Sequence, residues 1–286
     1  MFPRRLVTLC FIVVCLSSCI PNFQIGKLRR SNRQIVKHYK GERHQPTIGS
    51  FTVSNGTSIR TIAFGDSTRN KVVVFLHGSP ASMNIWDVFF TDTSLVNHCY
   101  VAACDRVGYG YSNYGNYPYS LDVQAAPIVE WLQTKFAGKQ VYVVGSSYGG
   151  TLAAKVAMLM GNQLSGLMLV SASTLPQFEK TYRATYLTTH WYSRWLVPSA
   201  IRIASREKLA HTQILEGLNA WDKIDTKVYI LHGAEDGLVY VQNAFYSESQ
   251  LLRLRPKLFF FPGRRHNLLW QERPALIKLI REISEQ

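Results

Sequence analysis

A series of short apolar runs, each about the length of one β-strand, recurs along the chain and restricts the folds open to it. Val72–Leu76 is continuously apolar, as expected for a strand that is buried on both faces of a sheet. Similar runs are Tyr100–Ala103, Val141–Val144, Gly166–Val170, Val228–Leu231 and Leu258–Phe261. Stretches with helical patterns lie between them, at Leu121–Phe136, Gly149–Met160, Val239–Leu254 and Pro274–Ile283. Because parallel strands need long crossovers, this alternation predicts a mostly parallel α/β sheet flanked by helices.

Two features complete the predicted domain, which we place at residues 47–286. Phe51–Val53 and Ser58–Phe64 are predicted to pair as a hairpin around Asn55-Gly56, a strong turn pair. With them the sheet reaches about eight strands. Residues 174–222 contain no clear strand and are rich in tyrosine and tryptophan, so we interpret them as a helical insertion between two strands.

The first 18 residues have the pattern of a signal peptide. Arg4 and Arg5 precede the apolar run Leu6–Leu16, which is too short to cross a bilayer comfortably. The run ends at Ser17-Ser18-Cys19, which resembles the bacterial lipoprotein box. This resemblance implies cleavage before Cys19 and acylation of that cysteine, with membrane lipid as a partner. The alternatives are an ordinary secretory signal or an uncleaved anchor. Ile20 stands where the usual inner-membrane retention signal has aspartate, which favours the outer membrane, facing the periplasm.

Residues 19–46 form a basic linker, and much of the formal net charge of +14 lies there. Its apolar residues Ile25, Leu28, Ile35, Val36 and Tyr39 have near-helical spacing. One hypothesis is a basic amphipathic segment that rests on anionic lipid. The other is a solvated linker or a helix packed on the domain, and the sequence leaves both open. An exported chain rarely meets nucleic acid, so we expect no nucleic-acid partner.

The most informative local pattern follows the run Val141–Val144. Gly145-Ser146-Ser147-Tyr148-Gly149 matches G-x-S-x-G between an apolar strand and a helix, and predicts Ser147 as a nucleophile on a sharp turn. The glycines leave room for that turn, and the following helix N-terminus favours a developing anion. Ser146 is a rival only by adjacency. The other interpretation is a glycine-rich turn without chemistry.

From about Thr47 to its C-terminus the sequence resembles the α/β-hydrolase superfamily, in the group with a helical cap. One match is His77-Gly78-Ser79-Pro80 after the run Val72–Leu76. In the family, backbone amides at this position help to form the oxyanion hole. Since Pro80 has no N–H, the resemblance implies Ser79 as one donor and Tyr148, which follows the nucleophile, as the second.

Three further matches follow in the family's chain order. Asp105–Ser112 is similar to the D-x-x-G-x-G-x-S loop, for which we expect a structural role, with Asp105 bonding backbone N–H groups. Asp236 fits the acid of the catalytic triad, with Glu235 as the neighbouring alternative. His266 fits the late histidine that acts as general base.

These matches imply a serine hydrolase that acts on a carboxylic ester or related small acyl substrate through an acyl-enzyme. No metal or organic cofactor is expected, since the histidines lack a recognised ligand spacing. A C–C bond hydrolase, a thioesterase and a haloperoxidase-like enzyme of the same fold remain alternatives. So does a non-catalytic binding module of the cell envelope.

Overall fold

One sheet organises the molecule. The structure is a computed structural model that describes residues 28–117, 120–176, 181, 183–193 and 197–285. Eight strands form the sheet in the order β1-β2-β4-β3-β5-β6-β7-β8, and the chain runs parallel in every pair from β4 to β8. The strands are β1 Thr47–Thr52, β2 Ser58–Phe64, β3 Lys71–Leu76, β4 Tyr100–Cys104, β5 Gln140–Ser146, β6 Gly166–Val170, β7 Lys227–Gly233 and β8 Lys257–Phe261. The predicted fold class is confirmed.

The described helices lie before, between and after the strands along the chain. They are α1 Asn32–His38, α2 Asp87–Phe90, α3 Thr93–Val96, α4 Leu121–Lys135, α5 Tyr148–Met160, α6 Arg183–Thr189, α7 Ser199–Leu209, α8 His211–Leu215, α9 Gln242–Gln250, α10 Leu268–Gln271 and α11 Arg273–Glu285. Helix α9 is shorter than the predicted Val239–Leu254. The N–H of Val239 bonds instead to the carboxylate of Asp236, and a separate 3₁₀ turn covers Leu252–Leu254.

Both faces of the sheet are buried, as the continuous apolar runs predicted. In β3, Val72, Val74 and Leu76 contribute to one apolar cluster, which also holds Trp131 of α4 and Leu152 of α5. The alternate residues Val73 and Phe75 contribute to the opposite cluster, where Phe75 stacks on Trp86 at 4.5 Å. Successive side chains of a strand point to opposite faces, so an apolar run without polar interruption fits only a strand covered on both sides.

Helix α1 packs on the second of these faces. Ser31 and Gln34 form a capping box at its start, which satisfies two backbone N–H groups. The side chains of Ile35 and Tyr39 are buried among the sheet residues, and the Tyr39 hydroxyl donates to Asp87 at 2.6 Å. Burial, followed by the charge of Asp87, raises the pKa of Tyr39. The apolar face of α1, within the predicted linker, is therefore packed on the sheet.

The segment between β6 and β7 contains the helices that lie over the site. We call residues 174–222 the cap segment; its described part includes α6, α7 and α8, and α6 packs along α7. In the part of the chain that the structure describes, no helix combines the length and apolarity needed to span a bilayer. The predicted signal peptide and Cys19 lie outside the described residues.

A paired substitution in α1 tests its packing. Ile35 is fully buried and its neighbour Val36 is 56% exposed. We expect Ile35→Ala to lower the free energy of unfolding by about 2–4 kcal/mol, because it removes buried methyl groups and leaves a cavity. Val36→Ala should change it by less than about 0.5 kcal/mol. Chemical denaturation of both variants measures this, and equal small effects would contradict packing of α1 on the sheet.

Candidate active site

Ser147 lies on a strained turn between β5 and α5. Its backbone has φ 56° and ψ −127°, a conformation that side-chain-bearing residues rarely adopt. Close backbone contacts leave no room for a side chain at either glycine of the motif. A Cβ on Gly145 would collide with the backbone of Gly149, and one on Gly149 would collide with the backbone oxygen of Leu76. The turn therefore depends on close approach between α5 and the end of β3.

The three predicted side chains of the triad lie in one hydrogen-bonded row. His266 Nε2 is 3.1 Å from Ser147 Oγ, and His266 Nδ1 is 2.7 Å from Asp236 Oδ2. Asp236 follows β7 and His266 follows β8, so both loops leave the carboxyl edge of the parallel sheet, where β5 also ends. An imidazole that donates from Nδ1 to a carboxylate presents Nε2 as an acceptor to the serine hydroxyl.

Asp236 is fixed as an ionised carboxylate. Its second oxygen accepts the backbone N–H groups of Leu238 and Val239, both at 2.9 Å. Burial raises the pKa of this carboxyl, but the hydrogen bond and charge of His266, together with the two backbone donors, outweigh burial and hold the pKa below its ordinary value. The neighbouring alternative, Glu235, is exposed.

Both predicted oxyanion donors border the same cavity as Ser147 and His266. Tyr148 begins α5, so its N–H belongs to the first helical turn, whose amides lack partners within the helix. Gly78 passes so close to Ser147 that an added Cβ would lie 3.0 Å from the serine Cβ, which places the Gly78–Ser79 peptide beside the predicted nucleophile. Asp105 accepts backbone N–H groups from Met83 and Tyr111 at 3.0 and 2.9 Å, as predicted for a structural loop.

A cavity of about 340 Å³ lies between this row and the cap segment. That volume falls at the small end of pockets that bind small molecules. The cap residues Ile201 and Ala204 line it with apolar surface, and His211 and Lys208 add polar groups. His211 borders the cavity, whereas His190 of the same cap segment is exposed.

Comparison with known proteins gives the family. The profile of the alpha/beta hydrolase family matches residues 73–277, which include every predicted site residue except Cys19. The chain belongs to the alpha/beta hydrolase family. It is 32% identical over 129 residues to a non-heme chloroperoxidase of Streptomyces lividans, covering 44% of this chain and 45% of that protein. The chain spans less than half the length of the curated relatives it matches.

Solved structures with low sequence identity share the fold. A candidate lipase from Acinetobacter baumannii superimposes with a TM-score of 0.68 at 17% identity, over 90% of this chain and 97% of the other. A membrane phospholipase A, described as a bacterial virulence factor, gives a TM-score of 0.63 at 18% identity over 98% of both chains. At such identities the likeness concerns the fold alone.

Two groups of polar residues in this alpha/beta hydrolase were not predicted from the sequence. Ser173 Oγ lies 2.9 Å from His211 Nε2, and both residues border the cavity. Arg106 and Glu207 form a buried ion pair with Nη2 and Oε2 3.2 Å apart. The one available signal was Arg106 within the Asp105–Ser112 loop, since a charged residue is rarely buried without a partner. Among the described residues, no cluster of three or more His, Cys, Asp or Glu side chains has the arrangement of a metal site.

Burial determines the protonation of His211. Only 4% of His211 is exposed. This removal from water, followed by the charge of Lys208, lowers the pKa of His211 to about 4, so its imidazole is neutral at pH 7. A histidine whose folded-state pKa lies below its unfolded value of about 6.5 loses stability as pH falls between those two values, because the unfolded chain then binds the proton more tightly.

The pH dependence of unfolding tests this environment. From that shift, His211 should make the protein about 2 kcal/mol less stable at pH 5 than at pH 7. We expect His211→Gln to remove this component, measured as the difference in free energy of unfolding at the two pH values. His190→Gln, an exposed histidine of the same cap segment, serves as the control and should keep the wild-type difference. A His211→Gln variant with an unchanged pH dependence would contradict a buried, neutral His211.

Proposed function

We propose that this protein is a serine hydrolase that cleaves carboxylic esters through an acyl-enzyme, with Ser147 as nucleophile, His266 as general base and Asp236 as the acid that orients the histidine. The observation that carries the proposal is the row of two hydrogen bonds, 3.1 Å from Ser147 to His266 and 2.7 Å from His266 to Asp236. The family match supports hydrolase chemistry, and the bond that is cleaved is our inference.

The proposed reaction proceeds in two balanced halves. As Ser147 Oγ attacks the ester carbonyl carbon, its proton passes to His266 Nε2, and Asp236 stabilises the imidazolium. The N–H groups of Ser79 and Tyr148 donate to the tetrahedral oxyanion, each stabilising the transition state by about 3 kcal/mol. His266 returns the proton to the leaving alcohol. Water then attacks the acyl-serine while His266 takes its proton, and His266 passes that proton to Ser147 Oγ as the acyl–oxygen bond breaks and the carboxylic acid leaves.

A fluorophosphonate probe tests the assignment of Ser147. We expect the purified protein to be labelled at one serine, because the probe reacts with a hydroxyl that an adjacent imidazole activates. Ser147→Ala should abolish labelling and lower kcat by about 10³-fold or more. Ser146→Ala, one residue away, should retain labelling. Labelling that survives in Ser147→Ala, or a folded wild-type protein that is never labelled, would refute the assignment and favour a binding module.

A panel of substrates, tested with the same variants, decides between the candidate activities. The identity with a non-heme chloroperoxidase, 32% over 129 residues, makes a haloperoxidase-like activity the second candidate. Short and long acyl esters, a thioester, a C–C diketone and a halogenation assay with peroxide form the panel. The cavity of about 340 Å³ favours the short esters. A Ser147-dependent activity confined to the diketone or to halogenation would replace the ester proposal.

We further propose that the protein is anchored at the bacterial outer membrane through acylated Cys19. Support comes from the sequence Leu16-Ser17-Ser18-Cys19 after a charged start and a short apolar run. More than one acyl chain on a single cysteine gives stable anchoring.

Metabolic labelling tests the anchor. In a bacterial host, radiolabelled palmitate should enter the wild-type protein and fractionate with the outer membrane, whereas Cys19→Ser should carry no label. Cys15→Ser, which lies within the predicted signal peptide, is the matched control and should be labelled normally. Equal label in wild type and Cys19→Ser would contradict the proposal.

A further inference from the structure

A charged pair is buried where the cap segment meets the core. Arg106 follows β4 and its side chain has no exposed surface; Glu207 lies on α7 and its side chain is 2% exposed. Arg106 Nη2 contacts both carboxylate oxygens of Glu207, at 3.2 and 3.4 Å. A buried ion pair adds little net stability to a fold, because the free energy needed to remove both charges from water offsets their attraction. Its position beside the proposed oxyanion site therefore calls for a local explanation.

The guanidinium contacts the peptide unit that carries one proposed oxyanion donor. Arg106 Nη2 donates to the carbonyl oxygen of Gly78 at 3.4 Å. This oxygen and the N–H of Ser79 belong to one planar peptide, so a donor on the oxygen restricts the direction of the N–H. A hydrogen bond at the oxygen also polarises the peptide and strengthens its N–H as a donor.

The backbone of Arg106 acts on the same peptide through His77. The Arg106 N–H donates to His77 Nε2 at 2.9 Å, so the imidazole proton lies on Nδ1, which donates to the Gly78 oxygen at 2.8 Å. Burial, followed by the charge of Arg106, lowers the pKa of His77 well below its ordinary value, which keeps this neutral tautomer. Two donors thus converge on one carbonyl.

Glu207 holds the side chain of Ser79 by a second route. The Tyr109 hydroxyl donates to Glu207 Oε2 at 2.8 Å, and Ser79 Oγ lies 2.8 Å from the Tyr109 oxygen. Because the tyrosine proton is directed to the carboxylate, the serine hydroxyl donates to the tyrosine oxygen. The guanidinium also stacks at 4.4 Å on the ring of Tyr148, the residue that carries the other proposed donor.

We propose that Glu207 and Arg106 are positioning residues for the oxyanion site: the cap glutamate holds Arg106, and Arg106 fixes the Gly78–Ser79 peptide so that its N–H points to the developing anion. The inference rests on the proposed hydrolase function. It implies that the donor is fully oriented only while the cap segment is docked on the core, which makes one cap residue a determinant of rate as well as of pocket shape.

Two variants separate positioning from stability. Glu207→Gln keeps the side-chain size but removes the charge that holds Arg106. The double variant Arg106→Met/Glu207→Met removes both charges, so no unpaired ion is left behind and the stability lost in the single variant should be recovered. We expect kcat for an ester to fall roughly 10- to 100-fold in both, with a change in KM of less than about threefold, because a misdirected donor mainly weakens transition-state binding.

The amide resonance of Ser79 provides a readout that does not depend on catalysis. Its ¹⁵N and ¹H chemical shifts respond to hydrogen bonding at the Gly78 oxygen of the same peptide. We expect this resonance to move in both variants. Lys155→Gln is the matched control: Lys155 is 4% exposed and its Nζ donates to the Gly217 oxygen at 3.0 Å. That variant should move the Leu218 resonance and leave Ser79 and kcat unchanged.

The outcomes are distinguishable. A double variant with recovered unfolding stability, wild-type kcat and an unmoved Ser79 resonance would overturn the proposal and leave the pair a purely structural contact. A reduced kcat with an unmoved Ser79 resonance would overturn it as well, since the rate would then be lost by another route. If the wild-type protein hydrolyses no ester and takes no fluorophosphonate, the proposed function fails, while the Ser79 resonance still decides whether Glu207 orients that peptide.

Discussion

The site depends on one strained backbone position, Ser147, and on the contact that maintains it. A residue with a positive φ and an extended ψ costs about 1–3 kcal/mol and persists only where its surroundings enforce it. The enforcing contact is the approach of Gly149 to the backbone of Leu76, which ties the start of α5 to the end of β3. As β3 and β5 are parallel neighbours in register, this contact also directs the serine hydroxyl toward the edge where the loops after β7 and β8 lie.

Two carboxylates near that edge, Asp105 and Asp236, are buried, and each accepts hydrogen bonds that favour its ionised form. Asp105 accepts two backbone N–H groups and lies 3.7 Å from Arg60, while Asp236 has His266 and two amides of its own loop. Burial raises the pKa of Asp105, and the amides and Arg60 oppose that rise. In a site of low polarity such hydrogen bonds are strong and an unpaired group is costly, so the loops that carry them have little freedom.

The features that could be predicted from the sequence are those that a local pattern of residues determines. The apolar runs required a sheet covered on both faces, and the glycine spacing around Ser147 required a tight strand-to-helix turn. The sequence did not predict the Arg106–Glu207 pair, because Glu207 lies on an amphipathic helix whose sequence says which face is polar but not which residue that face meets. Helix α1 shows the same limit. The spacing of Ile35 and Tyr39 predicts an apolar face but does not say whether that face contacts lipid or protein. In the structure Tyr39 contacts Asp87 and Phe64, which are distant in sequence.

One loop, residues 105–112, connects three parts of the molecule that are distant in sequence. Arg106 contacts the oxyanion peptide and the cap, while Tyr111 stacks under the guanidinium of Arg29 at 3.9 Å and of Arg60 at 4.6 Å. The start of the described chain is thus held on the loop that supports Ser79. If Cys19 is acylated as proposed, the chain from Cys19 to Leu28 can span at most about 30 Å, so Leu28 would stay within that distance of the bilayer surface. The contact of Arg29 with Tyr111 would then connect the loop that supports Ser79 to the anchored end of the chain.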